Sequence, residues 1–497
     1  MEFKKLVKNT SYLASTRVVQ FFSGIVRSKI NAIYLGTEGV GVVGQFLMLS
    51  KTSSDLTDLS MNEAVVKQIA ENLNEKESKA LITSSIKTYI STIIIFIFIS
   101  IILLLVFRQY LSDLVFGDDM YNNLFFIAIV TFPLIIIDNT FYSILKGFKG
   151  ISHISKARIG IIISNLLIFA PLVILFKLKG AILYFPASYL ISMSWNYFYA
   201  NKFYLKPNEI TFSTVIKAPV KSRFQKEMLK FSGYGLVVSL IAMASTFIGR
   251  SIVVTDLGID KIGVYSPIDR WASLFTGFLL PAFNTYLYPR FCEVKSNNEV
   301  SGILNDAIRL TTFTLLPLLT FAIPFRYVFI RIFYSNEFIE ATDYLPYHFM
   351  GVVFNVWAFI FAQSMTPRGF IRQHSIFSFS FYTLSIILAY VLVPEYGLYG
   401  WMFKYIVGSI VLFFLYFFFL KSKTKFKIYS YNKIMMTYIF ISAFVLLIVE
   451  KYLNTQLYGM FLGPILFMLT YIFLTKNEKN FVKRKLKDIK RKFSKTK

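Results

Sequence analysis

Thr92-Ile-Ile-Ile-Phe-Ile-Phe-Ile-Ser-Ile-Ile-Leu-Leu-Leu-Val-Phe107 holds no charge and only two hydroxyl side chains, Thr92 and Ser100. A bilayer core is crossed by about 20 apolar residues in a helix. The run extends back over 80–91 with few polar interruptions, so it is long enough to span. Ile406–Leu420 and Met435–Val449 read the same way. Lipid offers backbone amides no partner, which forces such segments into helices packed as a bundle. The fold class is therefore an all-α polytopic membrane protein.

Working outward from 80–107, the first half of the chain carries spans at 10–34, 39–66, 80–107, 121–145, 157–176 and 180–201. The second half carries 228–254, 262–289, 303–333, 341–363, 373–393 and 398–420, and two more follow at 434–450 and 457–474. Pro317 and Pro324 predict that 303–333 is a shorter helix followed by a turn. The bulk composition agrees: 497 residues, 55% hydrophobic and 18% aromatic, with mean hydropathy +0.57. The single cysteine, Cys292, excludes an internal disulfide and argues against zinc. Met1–Asn9 is basic, but the following helix is long and carries Arg17, Arg27 and Lys29, so it reads as a permanent first span.

A net charge of +26 suggests nucleic acid in a soluble protein. Here the lysines lie in alternate gaps, and basic gaps mark the cytoplasmic side. Lys4, Lys5 and Lys8, then Lys146 to Arg158, Lys202 to Lys226, Lys421 to Lys433 and the tail 476–497 all fall on one side of a fourteen-span arrangement. The opposite gaps, 35–38, 108–119, 256–261 and 393–398, are short and often acidic. Both termini are thus expected in the cytoplasm, and no nucleic-acid partner is expected.

The start of the chain recurs about 222 residues on. Lys8-Asn-Thr-Ser-Tyr12 aligns with Lys230-Phe-Ser-Gly-Tyr234, and Leu35-Gly36, Gly41-Val42 and Asn62 align with Leu257-Gly258, Gly263-Val264 and Asn284. Six spans separate these points, so the halves share one orientation, the parallel repeat of some transporters. The expected division is an N-lobe at 1–202, a cytoplasmic linker at 203–227, a C-lobe at 228–420, an extra helix pair at 434–474 and a basic tail at 475–497.

Polar residues at helical spacing mark what the bundle keeps wet. Thr16, Gln20, Ser23, Arg27 and Asn31 share one face of the first helix, with Arg17 beside it. Lys51, Asp55, Asp58 and Asn62 repeat the pattern in the second. Arg250 closes a similar stripe in the seventh, and Asp269, Arg270 and Asn284 lie in the eighth. These four helices are expected to converge on one interior. A charge at mid-membrane costs about 2.5–3.5 kcal/mol, so each must be paired or hydrated. Lys51 with Asp55 has ion-pair spacing, and Asp269 is adjacent to Arg270. Arg27 and Arg250 lack an acid one turn away and read as cavity cations. Lys29 points away from Arg27 and reads as a snorkelling side chain. Asp138 has no cation in its own helix; it either binds a coupling proton or sodium ion or pairs with an arginine. Lys404 either borders the cavity or anchors a helix end. The excess of cations favours an anionic substrate part, since guanidinium matches phosphate oxygens. No P-loop sequence occurs, the three histidines form no metal spacing, and no outer loop is long enough for a glycosyl-transfer site.

Three stretches, Tyr34-Leu-Gly-Thr-Glu-Gly-Val-Gly-Val-Val-Gly-Gln45, Asn62-Glu-Ala-Val-Val-Lys-Gln-Ile-Ala-Glu71 and Leu145-Lys-Gly-Phe-Lys-Gly-Ile151, resemble polysaccharide flippases of the Wzx type. These belong to the multidrug/oligosaccharidyl-lipid/polysaccharide exporter (MOP) superfamily. The resemblance covers about residues 1–420. It implies alternating-access movement of an undecaprenyl-diphosphate-linked O-antigen or capsule unit across the inner membrane, with no enzymatic activity. It also implies no cofactor beyond a coupling proton or sodium ion, with Asp55, Asp58, Asp138 and Asp269 as the candidate carboxylates. Related lipid II flippases hold diphosphate with arginines on their first, second and eighth helices, where Arg17 and Arg27, Lys51, and Arg270 stand here. Lys51 departs from arginine at its position. Expected partners are the lipid-linked glycan, the bilayer and glycan polymerase proteins. The alternatives are a multidrug antiporter, which needs a carboxylate-dominated cavity, and a glycan polymerase or ligase.

Overall fold

The computed structural model describes the backbone of residues 2–473, apart from 60, 74, 76, 232, 295, 454 and 455, together with Lys479. Side chains are described from Thr16 onward, except at 17–18, 119, 227–236, 278, 282, 285–286, 288–289, 317–318 and 450–457. Among these residues every regular element is helical. In order they are α1 (Glu2–Asp58), α2 (Met61–Asn72), α3 (Ser78–Val106), α4 (Arg108–Phe116), α5 (Asn122–Gly147) and α6 (Ile151–Ala200). Next come α7 (Phe212–Lys217), α8 (Ser222–Phe231), α9 (Gly233–Leu257), α10 (Ile259–Glu293) and α11 (Asn297–Phe333). The last are α12 (Ala341–Met365), α13 (Ile371–Thr424), α14 (Ser430–Leu453) and α15 (Gln456–Leu469).

Nine described helices are long and apolar enough to cross a membrane. Three of them are two helices meeting at a non-helical residue: Gly36 in α1, Lys177 in α6 and Gly397 in α13. Each break falls in a gap between two expected spans. The more polar α10 and the short helix Tyr458–Phe473 complete the series. Two expectations change. The span 303–333 is one continuous helix, α11, despite its prolines. Pro324 lacks the N–H that would bond the Thr320 carbonyl, and Gly463 of α15 packs directly against that oxygen. The gap 108–119 holds a helix, α4, capped by Gly117 in the left-handed region (φ 69°).

The repeat is written into the backbone at a spacing of 220. Gly150 N–H bonds the Leu145 carbonyl at 3.0 Å, and Phe370 N–H bonds Met365 at 2.9 Å. Lys149 bonds Lys146 at 3.0 Å where Gly369 bonds Thr366 at 3.1 Å, and both have positive φ, 57° and 79°. Lys177 and Gly397 also form a positive-φ pair, 48° and 58°. Three residues past each break, Gly180 and Gly400 abut the carbonyls of Leu172 and Leu392, so close that no Cβ fits. Each pair of arms therefore folds back as a tight hairpin. The two six-helix lobes are related by this parallel repeat.

Packing divides the chain into two compact units, a division by contact rather than by repeat. The first unit comprises 1–267, 331–340 and 378–401. Its core has two clusters: one around Tyr89, Phe132 and Ile136, and one around Phe46, Phe125 and Val173. Within it Lys29, rather than snorkelling, donates to the carbonyls of Arg331 at 2.8 Å and Tyr334 at 2.5 Å, at the C-terminal end of α11. A cation there is favoured by the helix dipole. The second unit comprises 268–330, 341–377 and 402–497. Trp357 is fully buried in it and donates to the Thr312 hydroxyl at 3.1 Å. Buried polar clamps fix the C-terminal helix pair to α11. Asn432 donates to the Asn305 carbonyl at 2.9 Å, and Arg309 donates to the Phe473 carbonyl at 2.9 Å.

Candidate functional site

The first unit encloses a cavity of about 300 Å³ walled by α1, α5 and α6. The polar stripe of α1 supplies Gln20, Ser23 and Arg27, one helical turn apart from each other. α5 supplies Asp138, Asn139 and Tyr142. α6 contributes from both arms of its hairpin: Arg158 and Asn165 from the first, Ser192 and Asn196 from the second. The break at Lys177 brings those distant positions onto one wall.

Asp138 is the organising acceptor. Ser192 donates its hydroxyl to one carboxylate oxygen and Asn196 its amide to the other, both at 2.8 Å. The Arg158 charge acts on the same carboxylate. Arg158 also lies 5.6 Å from the centre of the Tyr142 ring. Arg27 donates from one terminal nitrogen to the Tyr184 hydroxyl at 3.1 Å. Its Nε is buried and has no hydrogen-bond partner in the protein, and neither has the buried Oδ1 of Asn165. Buried polar atoms are ordinarily bonded, so both point to a ligand or water in the cavity. The lining carries two guanidinium groups against one carboxylate, a net positive charge inside an apolar bundle.

Of the residues picked out in the sequence, Gln20, Arg27 and Asp138 meet here. The side chain of Arg17 lies outside the described residues. Lys51 and Asp55 are exposed neighbours on α1. Asp58 is buried and accepts from the Tyr89 hydroxyl at 2.7 Å and from the Asn62 amide at 3.4 Å, so it caps α2. Arg250 is half-buried, with a terminal nitrogen over Gly44. In the second unit Asp269 is half-buried while Arg270 and Asn284 are exposed. Lys404 is buried, and its charge acts on His348, whose ring stacks on Tyr405. The expected convergence of the first, second, seventh and eighth spans does not build this cavity. The α1 stripe instead faces α5 and α6 of its own lobe. Arg158, Asn165, Ser192 and Asn196 were missed, although their spacings of seven and four residues are helical.

The repeat gives the cavity no polar twin. The positions 220 residues beyond Asp138, Asn139, Ser192 and Asn196 are Ala358, Phe359, Leu412 and Tyr416. Tyr416 is buried against His374 and Phe377. Among the described residues no group of three His, Cys, Asp or Glu is placed to hold a metal ion.

Fold and cavity define a multi-pass membrane protein of the MOP transporter superfamily. The chain belongs to the family described as polysaccharide biosynthesis protein, whose profile matches residues 6–295, more than half of the chain. It is 20% identical over 430 residues to the lipid III flippase of Escherichia coli (strain K12), covering 82% of this chain and 96% of that one. It is 23% identical over 397 residues to a Shigella flexneri protein named for O-antigen transport, covering 77% and 90%. Among solved structures, the lipid II flippase MurJ in an inward closed conformation superposes with TM-score 0.69 at 16% identity, covering 94% of this chain and all of that one. An inward-facing multidrug MATE transporter gives 0.63 at 15% identity, covering 81% and 94%.

Proposed function

We propose that the protein is a flippase for a polyprenyl-diphosphate-linked oligosaccharide, an O-antigen or capsule repeat unit, in the cytoplasmic membrane. The observation that carries this reading is the Arg27–Asp138–Arg158 cavity, polar and net positive, inside the greasy first lobe. A hydroxyl-rich headgroup finds donors and acceptors there, while its lipid tail stays in the bilayer. Lys51 and Arg250 are further proposed contacts for the diphosphate. The curated relatives are flippases and transporters rather than enzymes, and this chain is assigned the same non-enzymatic role. An ion gradient, of protons or sodium, is proposed to drive the cycle. Both termini are proposed to face the cytoplasm, as the basic gaps suggest.

The test is complementation of a bacterium that lacks its own repeat-unit flippase. Surface glycan should return with the natural chain and fail with Arg27→Gln at equal protein level. Drug resistance on overexpression without any glycan would instead favour a multidrug antiporter, a role for which two cavity guanidinium groups are unsuited.

A further inference from the structure

We infer that the α1–α5–α6 cavity is a subsite for an acidic monosaccharide, so that the repeat unit carried by this protein contains a uronic-acid-type sugar. The inference rests on the reading of this cavity as the headgroup site and names what part of the headgroup it takes.

The lining distinguishes among polar ligands. A phosphate or diphosphate group accepts hydrogen bonds and has few protons to give. Here, however, acceptors are built into the wall. The Asn165 Oδ1 is buried and unpartnered, and the Asp138 carboxylate is held in place by Ser192 and Asn196. A multiply charged diphosphate would meet that carboxylate at close quarters, where the low dielectric makes like-charge repulsion costly. A neutral sugar would satisfy Asn165 but leave the Arg27 Nε without a charged partner. An acidic sugar meets both demands. Its hydroxyls donate to Asn165 and to the free lone pairs of Asp138, and its carboxylate accepts from Arg27 and Arg158. One negative charge matches the net charge of the lining. The guanidinium–carboxylate bond is of the charge-assisted kind, about twice as strong as a neutral one. The repeat-equivalent positions of the second lobe, Ala358, Phe359 and Leu412, lack this chemistry, so one acidic ring is recognised per molecule.

The experiment is titration calorimetry on the purified full-length protein in detergent, with D-glucuronate, D-glucose and inorganic pyrophosphate as probes. Glucuronate should bind at least about tenfold more tightly than glucose, the factor that one charge-assisted hydrogen bond supplies. Arg158→Gln should reduce glucuronate to the level of glucose, and Arg27→Gln should do the same. Asn165→Ala should weaken both sugars together. Arg158 is solvent-exposed at the cavity rim, so its variant keeps the test decisive if Arg27→Gln fails to fold. Equal binding of glucose and glucuronate, tighter binding of pyrophosphate than of glucuronate in competition, or no binding of any probe would overturn the inference. Glycan display in complemented cells is scored separately. Display without a preference for glucuronate sinks this inference alone, whereas glucuronate binding without display sinks the flippase reading.

Discussion

Gly41 and Gly263 lock two repeat-related turns together backbone to backbone. A Cβ on Gly41 would collide with the carbonyl of Ile259, and one on Gly263 would collide with the carbonyl of Thr37. Thr37 and Ile259 stand 222 residues apart, as do the two glycines, so each turn makes the same contact on the other. The crossing is a local two-fold relation within the first unit.

Because the obstacle at both positions is a main-chain oxygen, no rotamer change relieves it. Gly41→Ala and Gly263→Ala should each cost about 1–3 kcal/mol, the usual range for overpacking. Their thermal unfolding midpoints in detergent should fall by similar amounts. A shift for only one of them would contradict the reciprocal contact.

Lys29→Met keeps the length of the side chain and removes its charge. Two carbonyls at the end of α11 then lose a charged donor, at an expected cost of about 1.5–3 kcal/mol. Lys29→Arg should recover part of it. Unfolding midpoints of the three proteins check the order natural, arginine, methionine.

Asp138→Ala leaves the Ser192 hydroxyl and the Asn196 amide without their acceptor and the Arg158 charge without its counter-charge. Surface glycan should be lost in complemented cells. Asp138→Asn keeps one acceptor oxygen and should retain more protein in the membrane than the alanine variant, which immunoblotting of membrane fractions measures.

The positions from which these predictions come were not equally visible in the sequence. Crossing segments such as 80–107 were legible because lipid imposes length and apolarity on every one of them. The repeat was legible because its turns need glycine or a positive φ at fixed spacing, as at Gly36 and Gly258. Helix α4 was not, since Arg108–Phe116 is too short and too mixed to show an apolar run. Of the cavity, Arg27 and Asp138 stood out as charges in apolar helices. Asn165 and Asn196 are neutral and lie on opposite arms of α6, so only the reversal at Lys177 shows that they share a wall. Asp58 stood out for the same reason as Asp138, yet its carboxylate is committed to Tyr89 and the start of α2.

The hairpin turns supply a paired test of the repeat. Gly180→Ala and Gly400→Ala both push a methyl into a carbonyl eight residues back, Leu172 and Leu392. Each should destabilise the protein by about 1–3 kcal/mol, measured by thermal unfolding in detergent, with little difference between them.

The clamps that hold the C-terminal helix pair have a consequence for biosynthesis. Arg309 finds the carbonyl of Phe473 only after 164 further residues have been made. At about 5–20 residues per second, that interval is roughly 8–33 s. Throughout it, α11 sits in or near the translocon with one of its guanidinium bonds still open. The insertion machinery must therefore shelter this face until the ribosome has almost finished, and a message truncated after α13 would yield a nascent chain marked for quality control.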